Sequence, residues 1–386
     1  LRKSPDIKSG EGGTFDVQKI TARQIVLLGM IYVINTTALN VPNQLVSRAH
    51  QHAFISFLVS GALILVLLYM LTRSSLRFPG QNLFESLISR FPALGRVLVV
   101  LYMLFFFMIL VRDIRIVSDF TNVVLLPITP LLITALCVTA TVIYIARGGA
   151  RTVLGITELY GPIIIIVFAL MPVIALRDFN FGLMRPLLHV DWGRVTEGSW
   201  ISVAYIGQML ILPFIFSGKD FRFKYGFYAT LLVVGMLAAA VIMDILLLGV
   251  EITERMMYPT YELVRQLRIT DFLDRFDLIV VALWYPGMLL NLAISLYIIC
   301  YGLKLVIPPV SGKMMAAPIG LLAYSCAFWF YSNSIELFNF NEVWTLIALF
   351  FILVLPILIF LVHHPAKNVK RREHGGDVSL EKGARK

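Results

Sequence analysis

Polar side chains of particular kinds stand inside long apolar segments of this 386-residue chain. Asn35, Thr36 and Thr37 lie at the centre of the stretch 25–45, with Pro42 beyond them. Tyr205, Gly207 and Gln208 precede Pro213 in the stretch 200–216, and Leu290 and Asn291 follow Trp284-Tyr285-Pro286-Gly287 within 278–305. Arg112, Arg115 and Asp119 recur at helical spacing around the end of 97–117, Asp113 falls on a different face, and Asp244 sits within 227–249. Amides, hydroxyls and backbone groups freed by a helix break can hold a zwitterion. The N-terminal end of a half-helix suits a carboxylate, and free carbonyls at the opposite end suit an ammonium. Gly207 lets backbone approach a ligand closely. The competing duty of such Asn and Thr residues is hydrogen bonding between neighbouring helices.

Charges inside apolar segments are costly and need partners. The expected pair is Asp244 with Arg112 or Arg115, acting either as a structural ion pair or as a gate or proton-coupling group. Enzyme chemistry has no support: no G-x-S-x-G, H-E-x-x-H, Cys/His cluster or nucleotide loop occurs, and no cofactor is implied. Cys137, Cys300 and Cys326 read as small core residues within apolar spans, and His50, His52, His363 and His364 as residues at span ends.

The elements that must position these groups follow from hydropathy. The chain is 59% hydrophobic with mean hydropathy +0.83, which excludes an ordinary soluble domain and a disordered chain. A bilayer core needs roughly 20 apolar residues per helix. Ten such stretches are expected, at about 25–45, 53–71, 97–117, 129–145, 159–175, 200–216, 227–249, 278–305, 316–332 and 343–363. Lys and Arg counted on alternate sides give 23 against 10, so both termini are expected in the cytoplasm. The net charge of +10 therefore reflects topology and not nucleic-acid binding.

The expected fold is an all-α membrane protein of ten transmembrane helices in two fives. An odd number per half forces opposite orientations, an inverted repeat with 25–175 as the first unit and 200–363 as the second. Spans one and six are expected to be broken, at Asn35-Thr36-Thr37 and at Gly207 with Pro213. Such breaks point to a small-molecule site at the membrane midplane, although kinks are also ordinary features of membrane helices. Residues 1–24 form a polar tail without a cleavable signal, the body runs 25–365, and 366–386 is a basic tail. The loop 250–277 reads as a short interfacial helix or lid, patterned through Leu263, Leu267, Phe272 and Phe276.

Several motifs carry a family resemblance. Ile20-Thr21 with Gln24 opens the first span. Leu126-Pro127-Ile128-Thr129-Pro130 precedes the fourth, Arg147-Gly148-Gly149 follows it, and Glu158 opens the fifth. Arg185-Pro186 and Pro259-Thr260 stand in loops, and Asp271-Phe272-Leu273-Asp274-Arg275-Phe276-Asp277 leads to Trp284. In order and spacing, from about 20 to 365, the chain resembles the spore germination permease family, whose members are germinant-receptor B subunits of the amino acid–polyamine–organocation superfamily. The resemblance implies a LeuT-like fold in the inner membrane of a dormant spore. It implies an amino acid or similar nutrient held between spans one, three, six and eight, and partnership with an A subunit and a C-subunit lipoprotein. By position the pocket would take Asn35, Thr36 and Thr37, Ile109, Tyr205 to Gln208, and Leu290 or Asn291. Family members often carry Gly or Ala at the first break, where this chain has Asn-Thr-Thr. The alternative function is a proton- or sodium-coupled amino-acid permease, with Asp244 as proton carrier.

Overall fold

The computed structural model describes residues 20–78, 80–186, 189–266 and 276–363. The expected basic tail, and Leu267 and Phe272 of the expected lid pattern, lie outside the described residues. Every regular element among the described residues is helical. In chain order these are α1 (Ala22–Asn40), α2 (Pro42–Ala49), α3 (Ala53–Leu76), α4 (Leu83–Arg90), α5 (Pro92–Phe120), α6 (Leu131–Arg147), α7 (Gly149–Ala175) and α8 (Trp192–Ile206). There follow α9 (Leu212–Ile215), α10 (Phe223–Leu248), α11 (Val250–Arg255), α12 (Pro259–Gln266), α13 (Phe276–Val306), α14 (Gly312–Phe330), α15 (Ser334–Leu349) and α16 (Leu355–Val362). Among the described residues nine helical segments are long and apolar enough to cross a membrane, and α6 is a shorter apolar helix of 17 residues.

The two segments expected to be interrupted are the most enclosed. In their most apolar windows, 78% of α1 and 89% of Trp192–Ile215 is buried, against 28% for α14. Apolar sequence on α1 and α8 thus faces protein, whereas α6, α7 and α14 present large apolar side chains outward, among them Leu132, Ile166 and Trp329. Lipid is the medium in which that exposure is favourable.

Helix pairing shows the repeat. α1 packs on α10 as α8 packs on α3; α6 packs on α13 as α14 packs on α5; and α1 packs on α7 as α8 packs on α15. The pairs α5 with α13 and α6 with α14 map onto themselves. These pairs exchange when the first five spans are swapped for the second five, as related five-helix units require, whereas the packing of α1 on α13 has no comparable counterpart between α8 and α5.

The breaks differ from the sequence-based expectation. Asn35, Thr36 and Thr37 remain inside α1, which is helical to Asn40, so the expected interruption at 35–37 is not where the chain yields. The bend falls at Val41, before Pro42. Pro42 has no N–H to offer the Ala38 carbonyl. Beyond it the Gln44 N–H donates to Asn43 Oδ1, 2.8 Å away, while Gln44 Nε2 donates to the Asn40 carbonyl at 2.6 Å. The Asn43 and Gln44 side chains thus take up the Gln44 N–H and the Asn40 carbonyl, two of the backbone groups that the bend frees. In span six, residues Gly207–Ile211 tighten to 3-10 geometry before Pro213 restarts α9. That is a change of helix type and not an unwound stretch.

Two motifs of the resemblance acquire a physical role. Thr21 and Gln24 form a reciprocal capping box at the start of α1, and Gln24 Nε2 also donates to Glu158 Oε2 of α7 at 2.9 Å. Glu158 lies well inside α7, which begins earlier than expected, at Gly149. Gly149 has φ +75, which lets α6 turn directly into α7. Cys137 is exposed, unlike the buried Cys300 and Cys326, which corrects the expectation of a wholly buried set.

α3 and α8 meet through serines. Ser56 Oγ donates to the Val195 carbonyl and Ser60 Oγ to the Ser199 carbonyl, each at 3.0 Å, and the Ser60 and Ser202 hydroxyls hydrogen-bond to each other. Small residues let membrane helices approach and hydroxyls tie them. α3 and α10 are equally close at Gly61, where a Cβ would stand 2.6 Å from Val234 Cγ2. Val234 is stiff at χ1 and cannot turn aside freely. Gly61→Ala is therefore expected to cost about 1–3 kcal/mol by overpacking. Gly235→Ala, with nothing within 4 Å of its Cβ, is expected to be neutral or slightly stabilising. Melting temperatures of the two purified variants in detergent check this ordering; equal shifts would contradict it.

Candidate functional site

The site is organised by α5. Arg112 and Asp113 are both fully buried, and Arg112 Nη2 and Nε lie 2.9 and 3.1 Å from Asp113 Oδ1. The long arginine side chain folds back to its neighbour in sequence, although the two Cβ atoms leave the helix on different faces. The guanidinium is held between two rings, its centre 4.2 Å from the Trp344 ring centroid and 4.9 Å from that of Tyr205. Each desolvated cation–π contact is worth about 2 kcal/mol. Phe105, two turns earlier on α5, stacks parallel to Trp344 at 5.7 Å and fixes that ring. Spans three, six and ten therefore converge on one charge.

Tyr205 carries the connection onward. Its hydroxyl accepts from Asn40 Nδ2 at 3.3 Å and donates to Asn341 Oδ1 at 3.1 Å. On the other side, Asn291 Nδ2 donates to the Tyr32 carbonyl at 2.7 Å and reaches Thr36 Oγ1 at 3.4 Å, with Thr36 beside Asp113. Asn35 Nδ2 donates to the Ile31 carbonyl of its own helix at 2.7 Å, while its Oδ1 lies 2.7 Å from where a Cβ on Gly287 would stand. The glycine of Trp284-Tyr285-Pro286-Gly287 thus makes room for the Asn35 amide. Farther along, the Tyr32 hydroxyl hydrogen-bonds the Ser295 hydroxyl at 3.0 Å.

Of the residues singled out in sequence, Thr36 and Asn291 meet, and Arg112 and Tyr205 meet. Ile109 and Leu290 are fully buried in the same apolar core, Ile109 one turn before Asp113. Thr37 and Gln208 are buried, with the Thr37 hydroxyl and both polar atoms of Gln208 lacking hydrogen-bond partners among the described residues. Gly207 faces protein: a Cβ there would stand 2.5 Å from Ile352 Cγ2, so its smallness admits the π-helical turn Phe350–Val354 of span ten. Sequence reasoning passed over Asn40, Asn341 and Trp344. The signal was there in Asn341 and Trp344, one turn apart, but Asn341 stood in a presumed loop.

The expected pairing of Asp244 with Arg112 or Arg115 is not formed. Arg115 Nε binds Asp119 Oδ2 at 3.1 Å, four residues on, and Asp119 also accepts from Ser334 Oγ at 3.0 Å. Arg115 packs over the Phe328 ring at 5.0 Å, so this second pair ties α5 to α14 and α15. Both arginines are already neutralised within α5. Asp244 Oδ2 instead accepts from Thr260 Oγ1 of α12 at 2.9 Å. That bond docks α12 onto α10. Tyr258, just before α12, and Tyr261 within it abut Phe120 edge-on at 5.5 and 5.4 Å. The expected interfacial helix is thus packed down on the end of α5, with Leu263 and Val264 in an apolar cluster with Met171 and Met243. Among the described residues no group of three His, Cys, Asp or Glu side chains is placed to hold a metal.

Removing one member of a buried ion pair leaves an unpaired charge, at about 3–5 kcal/mol. Asp119→Asn is accordingly expected to lower the melting temperature sharply. Asp244→Asn, which keeps an acceptor for Thr260 and strands no cation among the described residues, is expected to cost about 1 kcal/mol or less. Thermal unfolding of both variants checks this; a larger loss for Asp244→Asn would restore an arginine partner for Asp244.

Comparison with known proteins bears on the fold and the family. The family model described as spore germination protein matches residues 19–335. The chain is 30% identical over 353 residues to the putative spore germination protein YfkT of Bacillus subtilis (strain 168), covering 90% of this chain and 96% of that protein. It is 24% identical over 366 residues to spore germination protein KB of the same organism, covering 92% and 96%. Similar solved structures include Mhp1, a nucleobase–cation–symport-1 family transporter with bromovinylhydantoin bound, at TM-score 0.59 and 15% identity over 86% of this chain and 78% of that one. MhsT in complex with L-phenylalanine follows at TM-score 0.54 and 12% identity, covering 90% and 99%. With transporter-fold architecture and a family match over most of its helical body, this chain is a multi-pass membrane protein that belongs to the spore germination permease family.

Proposed function

We propose that this protein is a germinant-sensing B subunit that binds a small, amino-acid-like nutrient at the membrane midplane. Binding biases its conformation, and partner A and C subunits of a germination receptor read the change in the spore inner membrane. Both termini face the cytoplasm in this reading, as the distribution of Lys and Arg favours. The observation that carries it is a concentration of buried polar atoms without hydrogen-bond partners among the described residues. Asn35 Oδ1, Asn40 Oδ1, Arg112 Nη1, Asp113 Oδ2, Gln208 and Asn291 Oδ1 come from spans one, three, six and eight. Each such atom costs about 1–3 kcal/mol while unmet, and a polar ligand in their midst removes that cost. A protein of the same fold is solved with L-phenylalanine, which supports a ligand of this class.

The signal follows from linkage. A ligand shifts a conformational equilibrium only by as much as it prefers one state. Atoms on α1, α5, span six and α13 move relative to one another when these helices rock, so a ligand touching all four discriminates between states. Concentrative transport uses the same fold, and coupling by a proton at Asp244 or by sodium is its requirement.

The test is a binding panel of amino acids and nucleosides on the full chain in lipid nanodiscs, with uptake into proteoliposomes measured in parallel. The expected result is saturable binding without accumulation against a gradient. Thr36→Val keeps the side-chain shape and removes the hydroxyl between Asn291 and Asp113. It is expected to weaken binding, and the nutrient response of spores carrying it, about tenfold. Unchanged binding in Thr36→Val would count against this pocket, and accumulation by the chain alone would establish transport.

A further inference from the structure

The end of α3 and the start of α10 are closed against each other along one seam. Gly226 lies against Leu68, Phe223 abuts Tyr69 edge-on at 5.4 Å, and the Gly218 N–H donates to the Gln81 carbonyl at 3.1 Å. A Cβ on Gly80 would stand 3.7 Å from Lys219 Nζ. The two stretches that form the seam, 69–82 and 215–228, carry Arg73, Arg77, Lys219, Arg222 and Lys224 against a single acid, Asp220. None of these five cations forms an ion pair among the described residues. Asp220 Oδ2 is engaged instead by the Ser217 hydroxyl at 2.6 Å.

We propose that this seam is a site for the head-group phosphate of an anionic phospholipid, in the leaflet that the distribution of Lys and Arg assigns to the cytoplasm. The site is separate from the central cluster and requires only that the helices span a bilayer, not that the protein binds a nutrient.

The charge of the seam is unrelieved within the protein. Even Arg77 meets only neutral groups: its Nη1 donates to the Phe360 and His363 carbonyls at 3.3 and 2.7 Å, and its guanidinium lies over the Phe360 ring at 5.2 Å. The depth matches a lipid head group. On α3, Arg73 stands in the exposed stripe of Val66, Tyr69 and Leu76, and on α10 Lys224 begins that of Phe227, Tyr228 and Leu231. Apolar stripes at helical spacing on the outside of a membrane bundle face lipid, and exposed tyrosines mark the interface. The cations beside Tyr69 and Tyr228 thus reach the layer of lipid phosphates, which distinguishes this anion from one dissolved in the cytoplasm. The receiving groups are also held in advance. Arg73 Nε donates to the Tyr69 hydroxyl at 2.9 Å, and its guanidinium lies 5.2 Å from the centroid of that ring, which Phe223 steadies. Its two terminal nitrogens have no partner among the described residues, and a guanidinium fork suits phosphate oxygens.

The test titrates phosphatidylglycerol and phosphatidylcholine onto the full chain in an uncharged detergent, with bound lipid counted by native mass spectrometry. Phosphatidylglycerol is expected to bind at least about tenfold more tightly. Glycerol 3-phosphate, which has the phosphate without the acyl chains, is expected to displace none of it at equal concentration. Arg73→Gln combined with Lys224→Gln removes two basic contacts and is expected to weaken phosphatidylglycerol binding roughly 30-fold. Arg151→Gln combined with Lys313→Gln removes the same charge from exposed positions elsewhere on that side of the membrane and is expected to change binding by less than about twofold. Should the first pair fail to yield folded protein, Lys219→Gln with Arg222→Gln reads the same seam, with the same expected loss. Equal affinity for the two lipids, displacement by glycerol 3-phosphate, or equal losses in the seam and control pairs would overturn the proposal. So would a folded seam pair that binds phosphatidylglycerol like the unaltered chain.

Discussion

A guanidinium with no solvent exposure must be neutralised, or the helix that carries it will not stay in the bundle. Arg112 meets that demand with Asp113 and with two aromatic faces. Continuum reasoning gives such a pair little net stability, since desolvation of both ions consumes most of their attraction. Its effect is positional. Tyr205 of span six and Trp344 of span ten must both lie against the cation, and Tyr205 must sit between Asn40 and Asn341. Four spans are thus held in register around one side chain.

The two-fold pairing of helices explains why the centre is where polar groups gather. α1 and α8 are enclosed on nearly all sides, so a polar residue on either meets protein and not lipid. Their interruptions are modest. Pro42 redirects α1 at its end, and 3-10 geometry after Ile206 shifts the facing of Gln208 and the residues beyond it relative to an α-helix. Both leave the backbone largely bonded within the chain, so the polar groups that reach the centre are chiefly side chains. The Gln24–Glu158 bond at the start of α1 and the Thr260–Asp244 bond on α12 tie other parts of the bundle together. They fix α1 against α7 and α12 against α10.

Much of the fold was legible because bilayer physics writes it in bulk terms. Apolar runs of sufficient length place the spans. The site was legible only in part. Thr36, Asn291, Arg112 and Tyr205 stood out as polar residues in apolar surroundings, and the structure joins them in one network. The location of the first break was not legible, because Asn and Thr inside a membrane helix can bond their own turn, as Asn35 does with Ile31. Helical spacing placed Asp113 on the wrong face for Arg112, yet a long flexible side chain does not respect its Cβ direction. Asp244 offered only its charge, and no local pattern reveals that its partner is a threonine sixteen residues on. Gly207 was read as room for a ligand and proves to be room for Ile352, since sequence cannot tell which neighbour a small residue admits.

The most direct measurement is a cryo-electron microscopy structure of the full chain in nanodiscs with a bound amino acid, resolved well enough to orient its head group. The account requires the ligand among Asn35, Arg112 Nη1, Asp113 Oδ2, Gln208 and Asn291, the buried polar atoms that lack partners among the described residues. A ligand seated elsewhere, with Arg112 still enclosed between Tyr205 and Trp344 and no new group at Nη1, would contradict it.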